Sequence, residues 1–97
     1  MRLDRFLWFV RLAKSRDVAQ AMAAEGWLRI DGRRIDRAHA AIRVGNILTF
    51  VKAGSVRVVR VELLPRRRGS APEAQACYRD LDTAAVDDNE PPVGDGN

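Results

Sequence analysis

The chain has 97 residues, 46% of them hydrophobic, a length that suits one domain with a modest core and little room for a deep catalytic cleft. Its net charge of +4 conceals a segregation, because residues 1–69 hold 16 Lys and Arg against 6 Asp and Glu, while residues 70–97 hold 1 basic and 7 acidic residues. The resulting +10 on the first part predicts a polyanion partner, and the absence of any stretch of about 18 apolar residues excludes a membrane-spanning helix.

The positive charge is carried by arginine, Lys14 and Lys52 being the only lysines. Guanidinium binds phosphate bidentately and stacks on bases, which ammonium does not. An Arg-rich genome accounts for the preference over lysine but not for the segregation. The lone Cys77 rules out an internal disulfide and fits the cytoplasm, the expected location. The N-terminal run MRLDRFLWFVRLAKSR is interrupted by Asp4, Arg5 and Arg11, unlike the unbroken apolar core of a signal peptide.

Residues 2–13 are predicted as a helix. Leu3, Phe6, Leu7 and Val10 form its apolar stripe, and Arg2, Arg5 and Arg11 fall outside it. Trp8 and Leu12 project opposite the stripe, so they need another cover or stand exposed. Ser15 is an N-cap for a second helix over about 16–25, supported by Asp17 in its first turn, with Gly26 as the residue beyond its end. Val18, Ala19 and Met22 share one face of that helix; Arg16 and Gln20 share the other. A short link around Lys14 makes the pair a helical hairpin.

WLRIDGRRI at 27–35 carries Asp-Gly between apolar positions, the signature of a two-residue type I′ hairpin. That register opposes Ile30 to Arg33, Arg29 to Arg34 and Leu28 to Ile35. Residues 47–51 and 56–64 are β-rich, joined by a turn at 52–55 and preceded by the turn Val44-Gly45-Asn46. PRRRG at 65–69 reads as a basic, flexible hinge. Ser70 and Glu73 have capping-box spacing for a short helix, whose stripe of Ala74, Cys77, Tyr78 and Leu81 is expected to cover Trp8 and Leu12. From residue 83 the chain is acidic, holds Pro and Gly and lacks aromatics, so it is expected to be disordered.

The basic hairpins are the strongest functional feature. Arg29 and Arg34 placed directly opposite would repel, and an anionic ligand would relieve them; the alternative is local neutralisation by Asp31 and Asp36. The amides at the start of the second helix suit a phosphate, although capping by Ser15 is the ordinary role there. Trp8, Phe9 and Trp27 can stack on unpaired bases, but packing is the expected role of each. His39 has no motif around it, and Cys77 falls in an apolar stripe. No zinc-ligand spacing and no phosphate-binding Gly-rich loop is present in the sequence. The expectation is a binding module and not an enzyme, with no cofactor and no metal.

The run RLDRFLWFVRLAKSRDVAQAMAAEGWLRIDGRRI, followed by VGNIL, resembles the RNA-binding domain named after ribosomal protein S-four. It opens on R-L-D, has K-S-R before the second helix, a Gly after it, and then an apolar residue followed by x-(Asn/Asp)-Gly. The stretch RRRGSAPEAQACYRDL at 66–81 resembles the bacterial heat-shock protein 15 family, so the likeness spans about residues 2–82. The resemblance implies an α+β fold, the αL RNA-binding motif, with two N-terminal helices packed on a small twisted, mostly antiparallel sheet, plus a short C-terminal helix. Together with the residue reading it divides the chain into an RNA-binding domain at 1–64, a basic hinge and short docking helix at 65–82 and a disordered acidic tail at 83–97.

By the same resemblance, the chain would bind structured ribosomal RNA on free large ribosomal subunits, particularly those blocked by a nascent chain with tRNA. It would act as a monomer, without a membrane, in a heat-shock or ribosome-rescue role. RNA contact is expected at Arg2, Arg5, Arg11, Lys14, Ser15, Arg16 and Gln20 on the helical hairpin, and at Arg29, Arg33 and Arg34 on the β-hairpin. Two departures stand out. The tail is acidic where a basic extension is usual, and Asp31 stands where Asn is common. The competing functions are an accessory module acting in trans with an RNA-modifying enzyme, and a general DNA-binding protein.

Overall fold

The computed structural model describes residues 1–81; the expected acidic tail lies outside the described residues. Helices α1 (Leu3–Phe9) and α2 (Arg16–Ala24) precede strands β1 (Leu28–Ile30), β2 (Arg33–Ile35), β3 (Ile47–Lys52) and β4 (Ser55–Val61), and then come α3 (Ala71–Gln75) and β5 (Tyr78–Asp80). The strands make one open antiparallel sheet in the order β2-β1-β3-β4-β5. The α+β fold expected from the sequence is the fold observed.

The core is the predicted stripe of α1 set on one face of the sheet. Leu3, Phe6, Leu7 and Val10 are buried with Ala19, Met22 and Ala23 of α2 and with Leu28, Ile30, Leu48, Phe50, Val59 and Val61 of the strands. Alternation along each strand sends these apolar side chains to the helix side and their neighbours outward. Each full burial of a side chain of this size stabilises by about 1.5–3 kcal/mol. No side chain caps α1; the Leu3 and Asp4 amides donate instead to the carbonyls of Ala40 and Ala38, at 2.8 and 3.1 Å.

α1 is shorter than the 2–13 predicted. It ends because Arg11 takes a left-handed conformation, φ +62°, at a cost of about 1–2 kcal/mol. The turn redirects the chain so that Leu12 and Ala13 enter the core. Leu12 is therefore buried by the turn itself and needs no cover from the C-terminal segment. α2 begins as expected, the Ser15 hydroxyl accepting the Val18 amide at 3.1 Å.

The β-hairpin has the predicted register in full: Leu28 to Ile35, Arg29 to Arg34, Ile30 to Arg33. Asp31 and Gly32 both have positive φ, +52° and +85°, which a type I′ turn requires. The Asp31 carboxylate is also a tether, accepting the Ile47 amide and the Asn46 side-chain amide at 2.8 Å each. Trp27, expected to pack, stands just before β1 and is 61% exposed. Val51 and Val56, paired across β3 and β4, are also exposed.

The C-terminal segment departs from the helix expected to run as far as Leu81. The predicted capping box forms, Ser70 and Glu73 exchanging both bonds, but α3 stops at Gln75. Residues 78–80 pair instead with β4, Tyr78 opposite Val61 and Asp80 opposite Val59. The unpaired backbone edge of β4 offers ladder hydrogen bonds that an extended segment takes and a helix cannot. Ala74 and Cys77 of the predicted stripe are buried, whereas Leu81 is exposed and its amide donates to Val58 O. The 65–69 segment is pinned, Arg68 Nη1 donating to Trp8 O at 3.0 Å and Arg11 Nε donating to Gly69 O at 2.8 Å.

Candidate nucleic-acid interface

α1 and α2 flank a cleft of about 330 Å³, lined by Arg2, Asp4, Arg5, Trp8 and Phe9 from the first helix and its N-terminal cap, and by Arg16 and Gln20 from the second. The apolar stripe of each helix faces the core, so the charged positions offset from the stripes meet over this cleft. The structure thus brings together four of the ten expected RNA contacts, Arg2, Arg5, Arg16 and Gln20, beside Trp8 and Phe9.

Their electrostatic states differ. Arg2 is held by Asp4 through two hydrogen bonds, Nε to Oδ1 at 3.1 Å and Nη2 to Oδ2 at 2.9 Å, and Asp4 also accepts the Arg5 amide. Asp4 is the one buried charged residue among those described. A bidentate pair of this kind fixes the guanidinium plane and withdraws part of its charge from solution. Arg5 and Arg16 have no carboxylate within 4.0 Å among the described residues, and neither do Arg11, Lys14, Arg29, Arg33 or Arg34. Their charge is available to a ligand.

Trp8 sits among these cations. The Arg16 guanidinium carbon lies 4.5 Å from its ring centroid and that of Arg68 lies 4.9 Å away. Phe9 touches it in a tilted arrangement, ring centroids 5.7 Å apart. The expected cover by the C-terminal helix is therefore replaced by guanidinium groups. The attraction is that of a cation for the negative face of an aromatic ring, strongest for indole. Arg68 joins the site from a position 60 residues distant along the chain. Its only sequence signal is the run of three arginines at 66–68, which does not say where that run docks.

The remaining predicted residues lie elsewhere. Arg11 and Lys14 are exposed in the link between the helices, Arg11 being tied to Gly69. The Ser15 hydroxyl is committed to its cap. Arg29 and Arg34 oppose each other on the face of the sheet away from the core, and Arg33 alternates to the other face. Asp31 is bound to Asn46 and Ile47, and among the described residues neither it nor Asp36 forms an ion pair with Arg29 or Arg34.

Arg34 reaches back to the end of α2. A Cβ built on Gly26 would stand 2.5 Å from Arg34 Nη2 and 2.6 Å from its Nε, and Gly26 has φ +79°. Gly26→Ala is expected to destabilise the domain by about 1–2 kcal/mol, because an L side chain resists that φ, and to push the Arg34 guanidinium aside. Urea unfolding measures the first effect; an unchanged midpoint would show the turn relaxing to negative φ.

Two groups with catalytic potential have ordinary settings. Burial, and then the charge of Glu73, pushes the Cys77 thiol up, so it is protonated at neutral pH and a weak nucleophile. The Glu73 carboxyl is held below its usual range, first by the Ser70 amide and then by the Arg67 charge, as a capping box requires. Among the described residues no three His, Cys, Asp or Glu groups are placed to share a metal ion.

The S4 domain, an RNA-binding domain type, matches residues 1–48. The chain is 29% identical over 84 residues to the heat shock protein 15 homologue of Haemophilus influenzae, covering 87% of this chain and 63% of that protein. It is 29% identical over 80 residues to heat shock protein 15 of Escherichia coli K12, covering 82% of this chain and 59% of the relative. It thus spans about three fifths of the length of these relatives. Among solved structures, that of Vibrio cholerae heat shock protein 15, described as trimeric, superposes with a TM-score of 0.78 at 30% identity, over 84% of this chain and 81% of that one. The matched S4 region contains both helices that line the cleft, and the wider likeness takes in the pinned arginine segment and α3, so the chain belongs to the heat shock protein 15 family.

Proposed function

We propose that this chain is a non-catalytic binder of structured ribosomal RNA. Its target is the free large ribosomal subunit, including subunits blocked by a nascent chain with tRNA, in a heat-shock or rescue role in the cytoplasm. The observation that carries this reading is the cleft between α1 and α2, where Arg5 and Arg16, unpaired among the described residues, converge beside Trp8 within the S4 region. Phosphate contacts would supply most of the affinity and make it fall steeply with salt. Recognition would then be mainly of shape and backbone. The sites are Arg5, Lys14, Arg16 and Gln20 on the helical hairpin, with Arg2 and Arg11 held in place beside them, the Ser15 cap at the α2 terminus, and Arg29, Arg33 and Arg34 as a second contact on the β-hairpin.

Residues 1–64 are the RNA-binding part and 65–82 the basic hinge and short helix that follow it. The binding unit in this reading is the single chain. The trimer described for the V. cholerae relative makes assembly state a matter for light scattering. The purified chain is expected to co-sediment with free large subunits at near-physiological salt, and to bind them in preference to duplex DNA. Equal capture by duplex DNA, or sedimentation only below physiological salt, would remove the ribosomal reading.

A further inference from the structure

We propose that the cleft between α1 and α2 is a subsite for one unpaired nucleobase, which stacks on Trp8 in the place now held by the Arg16 guanidinium. The inference rests on the RNA-binding reading and adds to it a base contact made by a ring that packing alone would have hidden. Trp8 is half-exposed, although its α1 neighbours Phe6 and Leu7 are fully buried. The two guanidinium groups over its ring are not equivalent. Arg68 is anchored, its Nη1 on the Trp8 carbonyl at 3.0 Å, and it does not line the cleft. Arg16 lines the cleft, has no carboxylate within 4.0 Å among the described residues and is held over the ring at 4.5 Å. Arg16 is thus the group that can yield. The space beside it, about 330 Å³, lies at the lower end of the roughly 300–1,000 Å³ of small-molecule sites, enough for one planar base and not for a duplex.

The surroundings suit a nucleotide. A base entering the cleft meets the indole face, with the exposed Gln20 amide at the wall as a hydrogen-bonding group. Its phosphate meets Arg5 and the displaced Arg16, which exchanges a weak contact with a neutral ring for an ion pair. Every base has a π-face, so the subsite is indifferent to base identity in its stacking and selects for an unpaired state.

The test uses the full chain carrying Trp27→Phe, which leaves Trp8 as the sole indole, with three probes: an RNA hairpin bearing one bulged adenosine, the same hairpin fully paired, and AMP. The bulged hairpin is expected to bind about tenfold or more tighter than the paired one and to quench Trp8 emission, which the paired hairpin leaves unchanged. Trp8→Leu, shown to be folded by far-ultraviolet circular dichroism, is expected to bind the bulged hairpin no more tightly than the paired one, and a folded variant that keeps the preference of about tenfold would overturn the stack. Equal affinity for the two hairpins with unaltered Trp8 emission would refute the stack and leave RNA binding intact. AMP binding as tightly as the bulged hairpin would make the cleft a free-nucleotide pocket and overturn the subsite as stated. No affinity for either hairpin would remove both readings.

Discussion

Reversing the charge at Lys14 and Arg16 together, Lys14→Glu with Arg16→Glu, is expected to weaken binding to ribosomal RNA on the order of a hundredfold at near-physiological salt, with the fold retained. Both side chains are exposed and neither belongs to the core. Each phosphate contact adds close to one to the salt slope, so the plot of log affinity against log salt should flatten by about two. The expectation for stability is near zero because two terms oppose. Trp8 loses its Arg16 partner, about 0.5–1 kcal/mol. A carboxylate then stands in the first turn of α2, where the helix dipole favours it by about 0.3–1 kcal/mol. Anisotropy titrations across a salt series, beside thermal unfolding, separate binding from folding. A folded double variant with unchanged affinity would move the site away from the helical hairpin.

Phe6→Ala should show the opposite pattern, a collapse of stability that takes binding with it. Phe6 is fully buried in the stripe that sets α1 on the sheet, and the same helix carries Arg5 and Trp8 outward. Truncating a buried Phe costs about 3–5 kcal/mol, against about 5–15 kcal/mol for a whole domain. A short chain with a small core sits toward the lower end of that range. Urea unfolding followed by far-ultraviolet circular dichroism should place the variant close to its midpoint without denaturant. A loss below about 1 kcal/mol would mean that α1 is held mainly by its edge contacts with Ala38 and Ala40 and not by its underside.

The two outcomes correspond to two kinds of residue on one short helix. Stripe residues on α1 hold it to the sheet; offset residues project from it. Arg2 is an intermediate case, because its bidentate pairing to the buried Asp4 makes it a structural member of the cleft wall as well as a cation. Neutralising Asp4 would release that guanidinium, so this acid in a basic segment matters to the interface.

Wherever neighbouring residues decide the conformation, the sequence was sufficient by itself. The Ser15 cap, the Asp31-Gly32 turn with its register and the Ser70–Glu73 box all depend on backbone and side-chain geometry within a few residues. The apolar stripe of α1 was equally legible, since periodicity alone selects the buried face. The tertiary structure decided the rest. Arg11 turns left-handed because the core gains Leu12 and Ala13, residues 78–80 extend because β4 offers an open edge, and Arg68 reaches Trp8 across 60 positions. In each case the deciding partner is remote along the chain, and local propensity is outweighed by burial or by a ladder of hydrogen bonds that exists only once the sheet has formed.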